Sequence, residues 1–170
     1  MTYVRPRTML SSMLAEIEAS ARRPEAERHR AVAEVIGTFA GRPGLLAAQD
    51  CRCCPDRYVR HLLHADPAEG YAVVALVWRP GQMSPVHAHK TWCAFAVHNG
   101  ILTETLYTPG DPPVPTATRL LHPGATGHGA ARPDLIHRLA NLSCAKAVSI
   151  HCYGAAFDRF GVDVNEIHAH

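Results

Sequence analysis

Residues 81–100 read GQMSPVHAHKTWCAFAVHNG. His87 and His89 stand two apart, so on an extended strand both imidazoles leave the same face and can converge on one ion. The run Thr91 to His98 is followed by Asn99-Gly100 and then by Ile101 to Tyr107, rich in β-formers, a pattern that predicts a β-hairpin. If the strand continues without a bulge, Cys93 shares the face of the two histidines, whereas Trp92 and Ala94 point the other way. These residues predict a thiol facing a metal-binding pair on a β-rich scaffold. The bland alternative is a surface accident, which a chain with 12 histidines can supply.

Working outward, 170 residues with 47% hydrophobic content fit one domain with a real core. A formal charge of +2 is too mild and too evenly spread for nucleic acid or a membrane surface, and both partners are excluded. Arg5 and Arg7 are followed by Glu16 and Glu18, and no apolar stretch is long enough for a signal peptide or a membrane span, so a cytoplasmic protein is expected. Six cysteines without a secretion signal read as free thiols. Cys51, Cys53 and Cys54 lack a second pair at zinc spacing and read as loop thiols. The Asn141-Leu142-Ser143 sequon is expected to be idle. The sequence carries no signal for oligomeric state.

On the N-terminal side, Leu10, Met13, Leu14 and Ile17 recur at helical spacing after Thr8, predicting a capped helix over residues 8–20. Pro24, Glu25 and Glu27 open a second helix with the stripe Val32, Val35, Ile36 and Phe39, stopped by Gly41 and Pro43. Both read as cover for one flank of a sheet. Tyr58 to Leu63 fits a helical turn or a strand; read as a strand, it puts Tyr58, Arg60 and Leu62 on one face. Tyr71 to Trp78 is a continuous apolar run that predicts a strand buried on both faces.

On the C-terminal side, Pro109 to Pro113, with Pro115 beyond, predicts a loop. Short β-like runs follow at Thr116 to Leu121, Leu135 to Leu142 and Ala147 to Tyr153. Many short strands without intervening helices suggest a small barrel or sandwich. In the tail, Phe157 and Phe160 are expected to pack on the barrel, and His168 and His170 to fray. Leu135, His137, Leu139 and Asn141 share a face, as do Ser149, His151 and Tyr153. An alternating polar series of the second kind also arises in a buried strand whose polar groups merely satisfy one another.

Gly81, five residues, His87-Ala88-His89, three residues, Cys93, six residues and Gly100 resembles the first motif of the cupin superfamily. Cys93 stands where cupins usually carry a Glu ligand, a replacement that resembles the cysteine dioxygenase family of thiol dioxygenases. Tyr58-Val59-Arg60, the stretch from Ile136 to Asn141 and the stretch from Ser149 to Gly154 support the match, which covers about residues 55–157. The resemblance implies an all-β cupin of jelly-roll type with N-terminal helices packed on one side. It divides one domain, 1–170, into a helical part at about 8–41, a barrel at about 56–157 and a tail at 158–170.

The resemblance further implies that His87, His89 and His137 hold Fe(2+), with a small thiol and O2 as substrates and a sulfinate as product. His122 and His128 compete for the third position, and His137 is preferred for the His-x-x-x-Asn spacing of the second cupin motif. Pro133 and Asp134 depart from that motif. Three histidines alone would equally allow zinc, nickel or manganese. In the family, a Ser-His-Tyr line matching Ser149, His151 and Tyr153 ends at the metal. Cys93 and Tyr153 match the two positions that in some members are joined by a thioether. Arg60 is implied as the carboxylate clamp, with Tyr58 beside it.

L-cysteine is therefore the expected substrate. The alternative is 3-mercaptopropionate or another mercapto acid, favoured by Gly154-Ala155 where cysteine dioxygenases often have Ser-Pro-Pro. A metal-binding cupin without dioxygenase activity would explain the three histidines but leave Cys93, Arg60 and the Ser149–Tyr153 series without a role.

Overall fold

Thr8 opens the first helix by accepting a hydrogen bond on its side-chain oxygen from the Ser11 amide at 3.0 Å. In the computed structural model, which describes residues 8–68 and 70–169, this helix, α1, runs Met9–Ala21 and is followed by α2 at Glu25–Phe39. Met13 and Ile17 of α1 and Val32, Ile36 and Phe39 of α2 are buried in one cluster with Val73, Ala94, Ala96, Ile150 and Cys152. The helices thus cover one flank of a sheet, as their apolar stripes require. Small residues set the approach: a Cβ on Gly37 would lie 2.7 Å from Thr126 Cγ2.

Ten strands follow: β1 Val59–Ala65, β2 Ala72–Trp78, β3 Val86–His89, β4 Cys93–Asn99, β5 Leu102–Thr108, β6 Val114–Leu121, β7 Thr126–Gly129, β8 Arg132–Ala140, β9 Ala147–Tyr153 and β10 Asn165–Ala169. They form two five-stranded antiparallel sheets, ordered β1-β2-β9-β4-β7 and β10-β3-β8-β5-β6. The first carries the helices on its outer face. Between the sheets lies a second core of Val74, Leu76, Trp78, Phe95, Leu102 and Leu139, among others. This is the cupin jelly roll. β2 is buried along its whole length: one face enters the inter-sheet core, and on the other Val73 packs under the helices while Ala75 and Val77 pack against Leu46, Cys51 and Leu63.

The central stretch departs from expectation in two ways. β3 ends at His89, and after Lys90–Trp92 the chain resumes as β4 in the other sheet. The Asn99-Gly100 reversal is not a hairpin either, because β4 and β5 belong to different sheets. Gly100 does adopt φ +73, as an Asn-Gly turn demands. Its missing side chain is needed for another reason: a Cβ there would meet the Lys146 carbonyl oxygen at 2.6 Å, where the corner packs against the start of β9. The turn residues specify a tight reversal, not whether it stays within one sheet.

Three smaller corrections follow. Pro115 lies inside β6, not in the preceding loop, and β6 is an edge strand, where a missing N–H is tolerated. β7 was not foreseen; Gly127 lets it lie close to Phe95, whose ring would be 2.3 Å from a Cβ. The tail does not fray at His168: β10 pairs with β3 with Asn165 opposite His89. Phe160 is buried as expected, and His170, like Arg5 and Arg7, lies outside the described residues. Among the described residues no helix is long and apolar enough to cross a membrane.

Candidate metal centre

β3 and β8 pair with His87 opposite His137, so with His89 three imidazoles leave one sheet toward the interior. All three are buried, and one nitrogen from each lies within 4.8 Å of the others. Their far sides are tied down. His87 Nδ1 lies 2.9 Å from the Pro85 carbonyl oxygen, which can only accept, so Nδ1 carries the hydrogen. His137 Nδ1 donates to Glu104 Oε1 at 2.8 Å, leaving Nε2 buried with no partner among the described residues. His89 Nδ1 lies 3.0 Å from Cys93 Sγ.

Burial, reinforced by His137, pushes His87 down to about 3, and burial and the same neighbour hold His89 well below the usual histidine range. Both rings are therefore neutral at neutral pH. His87 Nε2 and His89 Nε2 are 3.2 Å apart, and with the His87 hydrogen on Nδ1 only one hydrogen can lie between them. Moving that hydrogen to His89 Nδ1, where Cys93 Sγ can accept it, leaves bare Nε2 lone pairs on His87 and His89 facing the orphaned Nε2 of His137. Neutral imidazoles fixed from behind suit a divalent metal. The residues fit.

Glu104, on β5, was not found from the sequence. Burial alone would raise its pKa, but the hydrogen bond and charge of His137, with Arg119, outweigh burial and hold the carboxylate below its ordinary range. Arg119, on β6, donates from Nε to Glu104 Oε2 at 2.6 Å. Carboxylate–imidazole pairs of this kind fix ring orientation and raise ligand basicity at metal sites.

The opposite sheet supplies the rest. Cys93 on β4 and Tyr153 on β9 are direct cross-strand partners, and burial pushes the Cys93 thiol up to about 12. The parity expected of Cys93, Trp92 and Ala94 survives, although the strand on which it was argued is broken: Cys93 faces the inter-sheet core, and Trp92 and Ala94 face the helices. Along β9, Ser149 Oγ is 2.8 Å from His151 Nε2, and His151 Nδ1 is 3.1 Å from Tyr153 Oη.

Trp78, also missed in the sequence, extends the line by donating its indole N–H to Ser149 Oγ at 3.0 Å. Because an indole only donates, the Ser149 hydroxyl has its own hydrogen free for His151 Nε2. Burial holds His151 neutral, well below the usual histidine range, so its single hydrogen sits on Nδ1 and is given to Tyr153. The phenolic hydrogen of Tyr153 is then free to point into the site.

Tyr58 stacks on Trp78, with ring centroids 4.4 Å apart. Arg60 lies over Tyr58, with Cζ 5.4 Å from the ring, and donates to Tyr58 Oη at 3.2 Å. Arg60 is exposed, yet it lines the narrow pocket that also contains His87, His89, His137, Tyr153 and Asn165. A wider cleft of about 390 Å³ opens on another side of the triad, past Cys93, Glu104 and Arg119. It includes neither Arg60 nor Tyr153, which both line the narrower pocket.

Other candidates separate from the site. His122 is exposed, and His128 instead meets His29 of α2, Nδ1 to Nδ1 at 3.1 Å. Cys51, Cys53 and Cys54 belong to no three-donor cluster among the described residues, and all six cysteines are unpaired. Asn141 of the sequon is fully buried, its amide donating to the Trp78 and Ala145 carbonyls.

The profile of the family described as cysteine dioxygenase type I matches residues 32–162. Among solved structures, a Klebsiella pneumoniae protein with a double-stranded β-helix domain superposes with a TM-score of 0.54 at 15% identity, covering 72% of this chain and 88% of that one. A Thermus thermophilus protein gives 0.52 at 18% identity, covering 63% of this chain and 91% of that one. At these identities the two likenesses show the fold alone.

Proposed function

Because the chain belongs to the cysteine dioxygenase type I family, we propose that it is a single-domain, cytoplasmic non-haem iron(II) thiol dioxygenase that converts L-cysteine to cysteine sulfinate. The observation that carries this reading is the convergence on one pocket of three buried imidazoles, the Tyr153 relay and the Arg60 guanidinium. Six unpaired cysteines suit a reducing compartment.

His87, His89 and His137 would hold the metal. Iron(II) bound there would supply the chemistry that brings a thiolate and dioxygen together and passes both oxygen atoms to sulfur. Arg60 swings from Tyr58 to take the substrate carboxylate in a two-pronged hydrogen bond. Tyr153 offers its phenolic hydrogen to the reacting centre, oriented by His151, Ser149 and Trp78. Cys93 accepts from His89 Nδ1 and so selects the ligating tautomer. Cys93 and Tyr153, direct cross-strand partners, are also our candidates for a thioether. Forming it removes the thiol hydrogen and one ring hydrogen, with two electrons passing to dioxygen, and leaves the chain lighter by two hydrogens in an intact-mass measurement.

The test is oxygen consumption by anaerobically iron-loaded protein given L-cysteine, 3-mercaptopropionate and cysteamine in turn, with the sulfinate identified by mass. L-cysteine is expected to be preferred, and Arg60→Gln to raise its KM about tenfold or more. Preference for the mercapto acid would transfer the substrate assignment while keeping the chemistry. Silence with all three would leave a metal-binding cupin without oxygen chemistry.

A further inference from the structure

Between the last residue of β3 and the first of β4, the chain crosses from one sheet to the other through Lys90, Thr91 and Trp92 alone. Each of the three is tied down. Lys90 N donates to the Val164 carbonyl at 2.9 Å, and Lys90 Nζ to the Val162 carbonyl at 3.0 Å, on the approach to β10. Thr91 Oγ1 donates to the Gly154 carbonyl at 2.7 Å, and the Gly154 amide donates to the Trp92 carbonyl at 3.0 Å. Both backbone polar groups of Gly154 are therefore held by the crossover, and Gly154 is the residue after Tyr153.

Tyr153 is the last residue of β9, where its pairs with Ala72 and Cys93 close both ladders and the backbone beyond leaves the sheet. A strand end with no further ladder bonds frays unless something else holds it. His151 Nδ1 fixes the phenol oxygen at 3.1 Å, and the ring stands 5.7 Å from the His89 ring, centroid to centroid. The backbone end depends on Gly154. Thr91 lies two residues after His89 and two before Cys93, so the hydroxyl that holds Gly154 is midway between an imidazole of the triad and the cross-strand partner of Tyr153. We propose that Thr91 is a positioning residue, whose hydroxyl sets where the Tyr153 phenol stands relative to the His89 face. This rests on the role given above to Tyr153. The Trp92 half of the clasp is a backbone bond that survives substitution, whereas the Thr91 half is a half-buried side chain that can be tested.

The experiment compares wild type, Thr91→Val, which keeps the shape without the hydroxyl, and Thr91→Ser, which restores the hydroxyl. In iron-loaded protein, Thr91→Val is expected to lower kcat for L-cysteine about fivefold, the effect of one lost neutral hydrogen bond. KM should stay within about twofold, iron content should match wild type, and Thr91→Ser should recover the turnover. In zinc-loaded full-length protein with ring-carbon-labelled tyrosine, the Tyr153 signal, identified among five tyrosines by Tyr153→Phe, should move in Thr91→Val and return in Thr91→Ser. A Tyr153 signal that stays in place overturns the assignment. So does an equal loss in Thr91→Ser, an effect carried wholly by KM, or a fall in kcat matched by lost iron. If Thr91→Val fails to fold, Thr91→Ala carries the same comparison. A Tyr153 signal that moves and returns as expected, in a protein that takes up no oxygen with any thiol, would retain Thr91 and sink the dioxygenase reading.

Discussion

Glu104 and His137 form a buried pair in which the imidazole Nδ1 donates to the carboxylate at 2.8 Å, while the other carboxylate oxygen is held by Arg119 at 2.6 Å. Removing this support leaves His137 in place but frees its ring. Glu104→Ala is expected to lower metal affinity about 10- to 100-fold. Arg119→Ala should cost less, since Arg119 is about half exposed and solvent screens its charge. Competition with a chromophoric chelator measures both, and unchanged affinity in Glu104→Ala would show that the pair has no role in metal retention.

The hydrogen-bond line from Trp78 to Tyr153 makes a different demand. Tyr153→Phe removes the inward hydrogen and is expected to lower turnover about 100-fold, in the range of a lost proton donor. Ser149→Ala, which only loosens the orientation of His151, should lower it about tenfold. Metal content should be normal in both variants, because neither residue is a ligand. A matching loss of bound iron would move both residues from the chemistry to the scaffold.

Gly154 bears on the choice of substrate. A Cβ at this position would lie 2.1 Å from Trp92 Nε1 and 2.6 Å from Thr91 Oγ1, and the Gly154 amide and carbonyl are both bonded to that segment. The glycine is thus explained by the Trp92 packing, and its weight as a mercapto-acid signal falls. Gly154→Ser is expected to cost about 1–3 kcal/mol, a drop of several degrees in Tm for a chain of this size. A melting curve unchanged from wild type would return the glycine to the substrate argument.

Stability of the metal-free protein should fall with acid. Unfolded His87 titrates near 6.5 and folded His87 near 3, so between those values the unfolded chain holds a proton that the folded chain excludes. The stability is fully present above 6.5 and is lost as pH falls through the window. His89 and His151 act in the same direction. From pH 7.5 to pH 5, His87 alone should remove about 2 kcal/mol. Urea midpoints at those two pH values measure it, and equal midpoints would contradict the burial of neutral rings.

Much of the site was legible because its signals are local. The two-residue spacing of His87 and His89 and the alternation of Ser149, His151 and Tyr153 need only a strand, and each lies on one. The residues that escaped have partners far along the chain: Glu104 is 33 positions from His137, and Trp78 is 71 from Ser149. Nothing near Asn165 signals that β10 will lie beside β3. The Asn99-Gly100 turn failed for a related reason, since left-handed turn chemistry serves a corner between sheets as well as a hairpin.

Division of labour between the sheets has a mechanical consequence. His87, His89, His137, Glu104 and Asn165 all rise from one sheet, whereas Arg60, Trp78, Cys93, Ser149, His151 and Tyr153 all rise from the other. Most braces lie within one set, and the His89–Cys93 contact crosses between them, so a small slip of one layer over the other would strain that contact first. It would misalign the two sets. Leu102, packed in the core between the layers, thus acts as the spacer of a two-jawed vice, whose grip depends on a part outside the pocket lining.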